Sequence, residues 1–178
     1  LWRDKPEKIE SELINLYYNT FALSQKTTIM AVQPIPEGYR NVTPYLVVEG
    51  SATLIEFLVR AFQAEEISRI LHPEGGIMHA EVKIGDSIIM MSEARGECKP
   101  MPSFLYLYVE NTDTTYDRAL QAGGTSTMEP KDEFWGDRSA GVKDPSGNHW
   151  WIATHQEDVS SAEIEKRIKE LFGAKETV

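Results

Sequence analysis

The pentapeptide Tyr45-Leu46-Val47-Val48-Glu49 returns sixty-one residues later as Tyr106-Leu107-Tyr108-Val109-Glu110. Around each copy the hydrophobic pattern repeats as well. A strand pattern is followed by a breaker, then by a helical pattern ending in Gln63-Ala64 or Gln121-Ala122, then by three more strand patterns. In the first copy the strand is expected over 42–48, and Gly50-Ser51 stops it and caps a helix over 52–63. Leu54, Ile55, Leu58 and Phe62 form the inward stripe of that helix. Strands follow over 65–72, 77–84 and 87–92, the last two joined by Gly85-Asp86, a two-residue hairpin signal. In the second copy the helix is about two residues shorter, with Tyr116, Ala119 and Leu120 inward, and Gly123-Gly124 ends it. Its remaining strands are expected over 125–130, 138–143 and 148–154. A duplication of this kind admits few folds. The expected class is α+β, with two βαβββ modules, 42–92 and 103–155, forming a curled mixed-sheet cup.

The flanks add helices rather than further domains. Residues 1–33 read as a helical extension and linker, with Ile9, Leu13, Leu16, Tyr17 and Phe21 at helical spacing over 7–23. The cup domain is expected over 34–160. Residues 161–178 read as a C-terminal helix, opened by the capping-box pattern Ser160-Ser161-Ala162-Glu163 and carrying Ile164, Ile168, Leu171 and Phe172 on one face. A formal net charge of −10 argues against nucleic acid or an anionic membrane surface as partner, since both require a basic footprint. No apolar run approaches the roughly 18 residues that suggest a spanning helix. Cys98 is the single cysteine, and no secretory leader pattern opens the sequence, so a reducing cytoplasmic setting is expected.

The densest stretch is Phe134 to His155, which holds three of the four tryptophans. Asp144-Pro145-Ser146-Gly147-Asn148 marks a turn, because proline fixes φ and Gly147-Asn148 tolerate φ > 0. On the strand that follows, side chains alternate. His149, Trp151, Ala153 and His155 share one face, and Trp150, Ile152 and Thr154 the other.

These features together resemble the vicinal oxygen chelate superfamily, which includes glyoxalase I, extradiol dioxygenases, and fosfomycin and bleomycin resistance proteins. The resemblance covers about 34–160. It rests on the paired modules and on Asp144-Pro145-Ser146-Gly147-Asn148 opening the last strand. Ile35-Pro36-Glu37-Gly38-Tyr39, Thr43-Pro44-Tyr45-Leu46, His79-Ala80-Glu81 before Ile84-Gly85-Asp86-Ser87, and Trp135-Gly136-Asp137-Arg138 look more narrowly like the PhnB-like branch. It implies two half-cups around a cavity, and a homodimer. In metal-dependent members a divalent ion sits in the cup. Carried over by position, its ligands would fall at or near Thr43, Met90, Phe104 and Trp151. None of these is a good ligand for a divalent ion, which needs three or more converging His, Glu or Asp groups. The expectation is therefore no metal cofactor, with a divalent metal as the alternative.

Fold does not assign chemistry, so the candidate residues carry the functional reading. Tyr45, Phe104, Tyr106, Tyr108 and Trp151 fall on the face opposite Leu46, Leu105, Leu107, Val109 and Ile152. Five aromatic rings on one face suit a pocket for a small planar or cationic organic ligand, or the filling of a cup or a dimer seam. Trp135 and His149 join this set, and Arg138 can hold a ligand carboxylate or phosphate, or pair within its loop with Asp137. His79 and Glu81 stand two apart on a strand and share a face. They are the catalytic candidates if the protein is an enzyme, or two ligands of a displaced metal, or a solvated strand face. Three functions stay open: a metal-free small-molecule binder, an enzyme built on His79 and Glu81, and a dimeric scaffold with a vestigial cavity.

Overall fold

The computed structural model describes residues 32–173, so the helix expected over 7–23 lies outside the described residues. Every element lies in the compact unit Glu37–Val178. In chain order they are β1 (Tyr45–Val48), α1 (Ser51–Phe62), β2 (Glu65–Leu71), β3 (Ile77–Ile84), β4 (Ser87–Glu93), β5 (Phe104–Tyr108), α2 (Thr112–Gln121), β6 (Thr125–Asp132), β7 (Asp137–Lys143), β8 (His149–His155) and α3 (Ser161–Gly173). The strands form two four-stranded mixed sheets, ordered β1-β4-β3-β2 and β5-β8-β7-β6. They are not closed into a barrel.

The repeat holds in register. Tyr45 lies opposite Met90 in the parallel pair β1–β4, and Tyr106 lies opposite Trp151 in the parallel pair β5–β8. Both residues of the pair are displaced by the same sixty-one positions. The first strand is shorter than its pattern suggests. Thr43 turns back, its hydroxyl donating to the Arg40 carbonyl at 3.1 Å. The ladder then opens with the Met90 amide donating to the Pro44 carbonyl at 2.9 Å.

The faces alternate as the pleat requires. Leu46, Val48, Ala80, Val82, Ile89 and Met91 of the first sheet, with Ala140, Val142, Trp150 and Ile152 of the second, are buried together with α1 residues and with Tyr116 and Ala119 of α2 in one cluster. Phe62 of α1 meets the Trp150 ring at a centroid distance of 4.8 Å. Helices α1 and α2 thus share a core between the modules, and the other face of each sheet carries the candidate residues.

Two local structures depend on residues distant in sequence. Gly50 and Ser51 open α1, but the cap is the Glu93 carboxylate at the end of β4. It accepts the Gly50 amide at 2.8 Å, the Ser51 amide at 2.9 Å and the Ser51 hydroxyl. The Asp144–Asn148 turn is built on a carboxylate that is 3% exposed. Asp144 accepts the amides of Ser146 and Asn148, the Asn148 side-chain amide and the Trp150 indole N–H, at 2.9–3.0 Å. Asn148 in turn accepts the Ser103 amide at 3.0 Å, which ties the turn to the entry of β5. The motif that marks the last hairpin is structural. In α3, Arg167 bonds to Glu157 and to the Phe134 carbonyl, and none of the helix's residues is buried.

Candidate functional site

The second sheet presents a continuous patch of rings. Phe104 stacks on His149 with centroids 5.8 Å apart and planes 1° from parallel. Trp151 meets Phe104 at 5.7 Å and Tyr106 at 5.9 Å, and Tyr106 meets Tyr108 at 5.1 Å. Parallel pairing of β5 and β8 brings these side chains side by side at every second residue. The patch is open: Phe104 is 65%, Tyr106 42% and Tyr108 62% exposed. Opposite Trp151 on β7 stands Gly141, where a Cβ would lie 2.6 Å from the Thr127 hydroxyl oxygen.

At one end of the patch lies Asp137, 3% exposed on β7. The Tyr106 and Tyr108 hydroxyls donate to its Oδ2 at 2.9 and 3.2 Å, and His155 Nδ1 lies 2.8 Å from its Oδ1. Burial opposes ionisation of Asp137, but the bonds from His155, Tyr106, Tyr108 and Trp135 outweigh it and hold the carboxyl below its usual range. The same arrangement pushes both phenols upward, through burial and the adjacent carboxylate, so both stay protonated at neutral pH. His155 Nε2 lies 3.0 Å from Asp158 Oδ1. With a carboxylate at each ring nitrogen, the imidazole is drawn to its doubly protonated form. Its pKa is raised by the bond to Asp137 and then by that to Asp158.

The first sheet carries a second carboxylate–imidazole pair. His79 Nε2 lies 3.0 Å from Glu81 Oε1, so the two residues that the sequence puts on one face do meet. The His79 bond, followed by the Tyr39 hydroxyl, keeps Glu81 below the usual carboxylate range. Tyr39 arrives from the segment before β1. Gly38, at φ +83, passes over Ile88, and Arg40 bonds to Asp86 in the Gly85-Asp86 hairpin at 2.8 Å. The chain's own entry segment thus lies across this part of the first sheet. Tyr45 stands beside His79, centroids 5.9 Å apart, and among the described residues it stacks on none of the second-module rings.

Arg138 sits elsewhere. Asp137 and Arg138 are neighbours on a strand and point to opposite faces, so they do not pair with each other. The Arg138 guanidinium forks onto Asp113 of α2 at 2.5 and 2.7 Å and reaches Asp132 at 2.9 Å. It is spent on the helix side and does not face the rings. Trp135 packs edge-on against Phe134, ring centroids 4.8 Å apart, and contributes to holding the Asp137 carboxyl low. Asp137, Tyr39 and the cap Glu93 are the residues that sequence reasoning missed. The alternation of β7 against β8, which pairs Asp137 with His155, was the available signal for the first.

The positions that a superfamily metal would use do not fit one. Thr43 is a hydroxyl already donating to Arg40, Met90 a thioether, Phe104 a hydrocarbon ring and Trp151 an indole. The nearby imidazole and carboxylate on the first sheet bond to each other. Among the described residues no group of three or more His, Cys, Asp or Glu side chains is arranged to hold a metal ion. Clefts adjoin the patch on its Tyr108 side. One of about 580 Å³ is lined by Tyr108, Val109, Glu110, Thr154 and His155. Another of about 690 Å³ runs from Tyr106 and Tyr108 to Asp86 and Arg118.

Comparison with known proteins agrees with this fold. The family model for the Glyoxalase/Bleomycin resistance protein/Dioxygenase superfamily matches residues 42–152. An uncharacterized protein of Mycobacterium tuberculosis (strain ATCC 25618 / H37Rv) is 32% identical over 155 residues, covering 81% of this chain and 89% of its own. An uncharacterized protein of Mycobacterium bovis is 33% identical over 135 residues, covering 70% of this chain and 89% of its own. Among solved structures, TioX from Micromonospora sp. ML1 superposes with a TM-score of 0.57 at 23% identity, over 65% of this chain and 98% of that one. A glyoxalase/bleomycin resistance protein/dioxygenase family enzyme from Burkholderia phytofirmans PsJN gives 0.53 at 18% identity, over 62% and 94%. At these identities the likeness to solved structures is one of fold.

Proposed function

The chain belongs to the Glyoxalase/Bleomycin resistance protein/Dioxygenase superfamily, and from that premise we propose that it is a metal-free binder of a small planar organic molecule. The reading is of a PhnB-like, bleomycin-resistance-type protein acting in the cytoplasm, which holds its ligand without turning it over. One observation carries it: four rings, Phe104, Tyr106, Tyr108 and Trp151, lie in mutual contact on an open sheet face. Left in water, such a patch is costly; a stacked ligand removes it from water and gains ring–ring contact. A second copy of the chain, in a homodimer, would close over the face and complete the cup. The donor chemistry at Thr43, Met90, Phe104 and Trp151 supports the metal-free part of the reading.

The test has two parts. Titration with a panel of planar aromatics is expected to quench fluorescence from Trp135 and Trp151, and Trp151→Leu to remove most of the response. A flat response across the panel would sink the proposal. Metal analysis of the purified protein is expected to find no stoichiometric divalent ion; near-stoichiometric metal lost on His79→Ala would overturn the metal-free reading.

A second reading has its own support. His79 and Glu81 form a carboxylate–imidazole pair, and Glu81 on Nε2 leaves Nδ1 to act as a general base. Mass spectrometry of a bound ligand recovered after incubation separates the two. An unchanged ligand supports the binder, and conversion that stops in His79→Ala supports the enzyme.

A further inference from the structure

The hydrogen-bond donors at the Tyr108 end of the patch are already committed. The Tyr106 and Tyr108 hydroxyls each have one proton, and both go to Asp137. His155 directs one ring nitrogen to Asp137 and the other to Asp158. What this end still offers a ligand is acceptor lone pairs, chiefly on the Tyr108 oxygen, and the electron-rich faces of two phenols hydrogen-bonded to an anion.

The charges agree. Glu110 lies in the same cleft as Tyr108 and His155, and among the described residues it makes no ion pair. With Asp137 and Asp158 that makes three carboxylates against one imidazolium. Two of the cations nearby are turned elsewhere. Arg138 is held by Asp113 and Asp132 on the helix side, and Lys131 bonds to Glu133 at 3.3 Å. Arg118 gives Nη2 to Thr115 and is, among the described residues, the one guanidinium that lines the larger cleft with Tyr108 and Glu110. Lys143 pairs across from His149, at the Phe104 end.

We propose that the ligand is a planar organic cation, its ring on the Trp151–Tyr106 wall and its positive end between the Tyr108 face and the Glu110 carboxylate. The inference rests on the ring-binding reading above and narrows it. A ligand that brings positive charge and hydrogens meets the acceptors and π faces left free. A neutral or anionic ring finds no free donor on Tyr106, Tyr108 or His155, and an anion also meets the carboxylates of Asp137 and Asp158.

The test uses two probes of one shape, N-methylquinolinium and neutral quinoline at pH 8, titrated against the full chain by tryptophan fluorescence. The quinolinium is expected to bind about tenfold tighter than quinoline, a difference within the range of a cation–π contact backed by a carboxylate. Glu110→Gln, at an exposed position, is expected to cut that ratio by about threefold or more. A wild-type ratio near one, with both probes quenching, overturns the cation proposal and leaves the ring-binding reading standing. A ratio that Glu110→Gln does not change also overturns it. Absence of quenching by either probe overturns both readings.

Discussion

The two modules are the same structure with opposite fates for their outer faces. Facing the helices, the repeat keeps equivalent residues: Leu46 and Leu107, Val48 and Val109, Ala80 and Ala140, Val82 and Val142, Met91 and Ile152 occupy matching register positions. On the other face the copies keep Tyr45 and Tyr106 but otherwise diverge. Val47 corresponds to Tyr108, Met90 to Trp151, and Glu81 to Gly141. The first face carries a polar pair and is overlain by Tyr39 and Gly38; the second trades the carboxylate for a glycine and carries rings. A shared core restrains one side of each sheet through close packing. The other side, free of that restraint, is where one copy can become a site and the other its support.

Each face nonetheless holds one carboxylate set beside an imidazole and a phenol that keep it ionised: Glu81 with His79 and Tyr39, Asp137 with His155, Tyr106 and Tyr108. They do not occupy equivalent positions in the repeat. On the first sheet the pair leaves an imidazole nitrogen for other work. On the second, every proton of the cluster is committed to a carboxylate, which fixes two rings in place.

The comparison breaks most readily in the core. Trp150 and Ile89 occupy equivalent positions and are both buried. Trp150→Ala is expected to cost about 4 kcal/mol and Ile89→Ala about 3 kcal/mol, by the usual toll of a large-to-small change. Urea unfolding should show one transition in each, because one cluster includes both modules. Two separate transitions would mean that the modules do not share a core. The next largest effect concerns how each helix begins. Glu93 caps α1 from across the module, whereas α2 is capped by its own Asn111, which accepts the Thr114 amide at 2.9 Å. Glu93→Gln and Asn111→Ala are each expected to cost about 1 kcal/mol, but only the first should change the acid limb. Burial pushes the Glu93 carboxyl up, and bonds from the Ser51 hydroxyl and the Gly50 and Ser51 amides more than offset this, leaving it lowered. Its stabilisation is present above the unfolded carboxylate pKa and is lost as pH falls through the folded one. A stability–pH profile should therefore flatten on its acid side in Glu93→Gln and keep its shape in Asn111→Ala.

The smallest effect sharpens the contrast between the two imidazoles. His155 has its pKa raised by Asp137 and Asp158, so its contribution is full below the unfolded histidine value and is lost as pH rises through the folded one. An NMR titration of the four histidines should find His155 titrating above the ordinary histidine range. His155→Gln should remove that resonance and the matching loss of stability on the alkaline side. A normal His155 midpoint would show that the Asp137 cluster does not hold a charged imidazole.

Much of the fold was legible because it is written in periods. The sixty-one-residue offset, the alternation of β8 and the Gly85-Asp86 hairpin all emerge as read. Local signals also placed His79 beside Glu81, since two residues apart on a strand means one face. They misdirected Arg138. A Gly-Asp-Arg sequence looks like a charged loop, but it lies at the start of a strand, where neighbours part to opposite faces. Arg138 then meets Asp113, twenty-five residues earlier.

What the sequence determined by itself is the duplicated module, its core face and the absence of good ligands at the expected metal positions, because hydrophobic period and residue chemistry are local properties. What only the tertiary structure decided is which partners each polar group meets. Asp137 becomes the anchor of two phenols and an imidazole, Glu93 becomes the cap of a helix more than forty residues away, and Tyr39 lies against Glu81. Hydrogen bonds and charges are satisfied by whatever the folded chain brings within 3 Å or so, and sheet register, rather than sequence distance, sets that list.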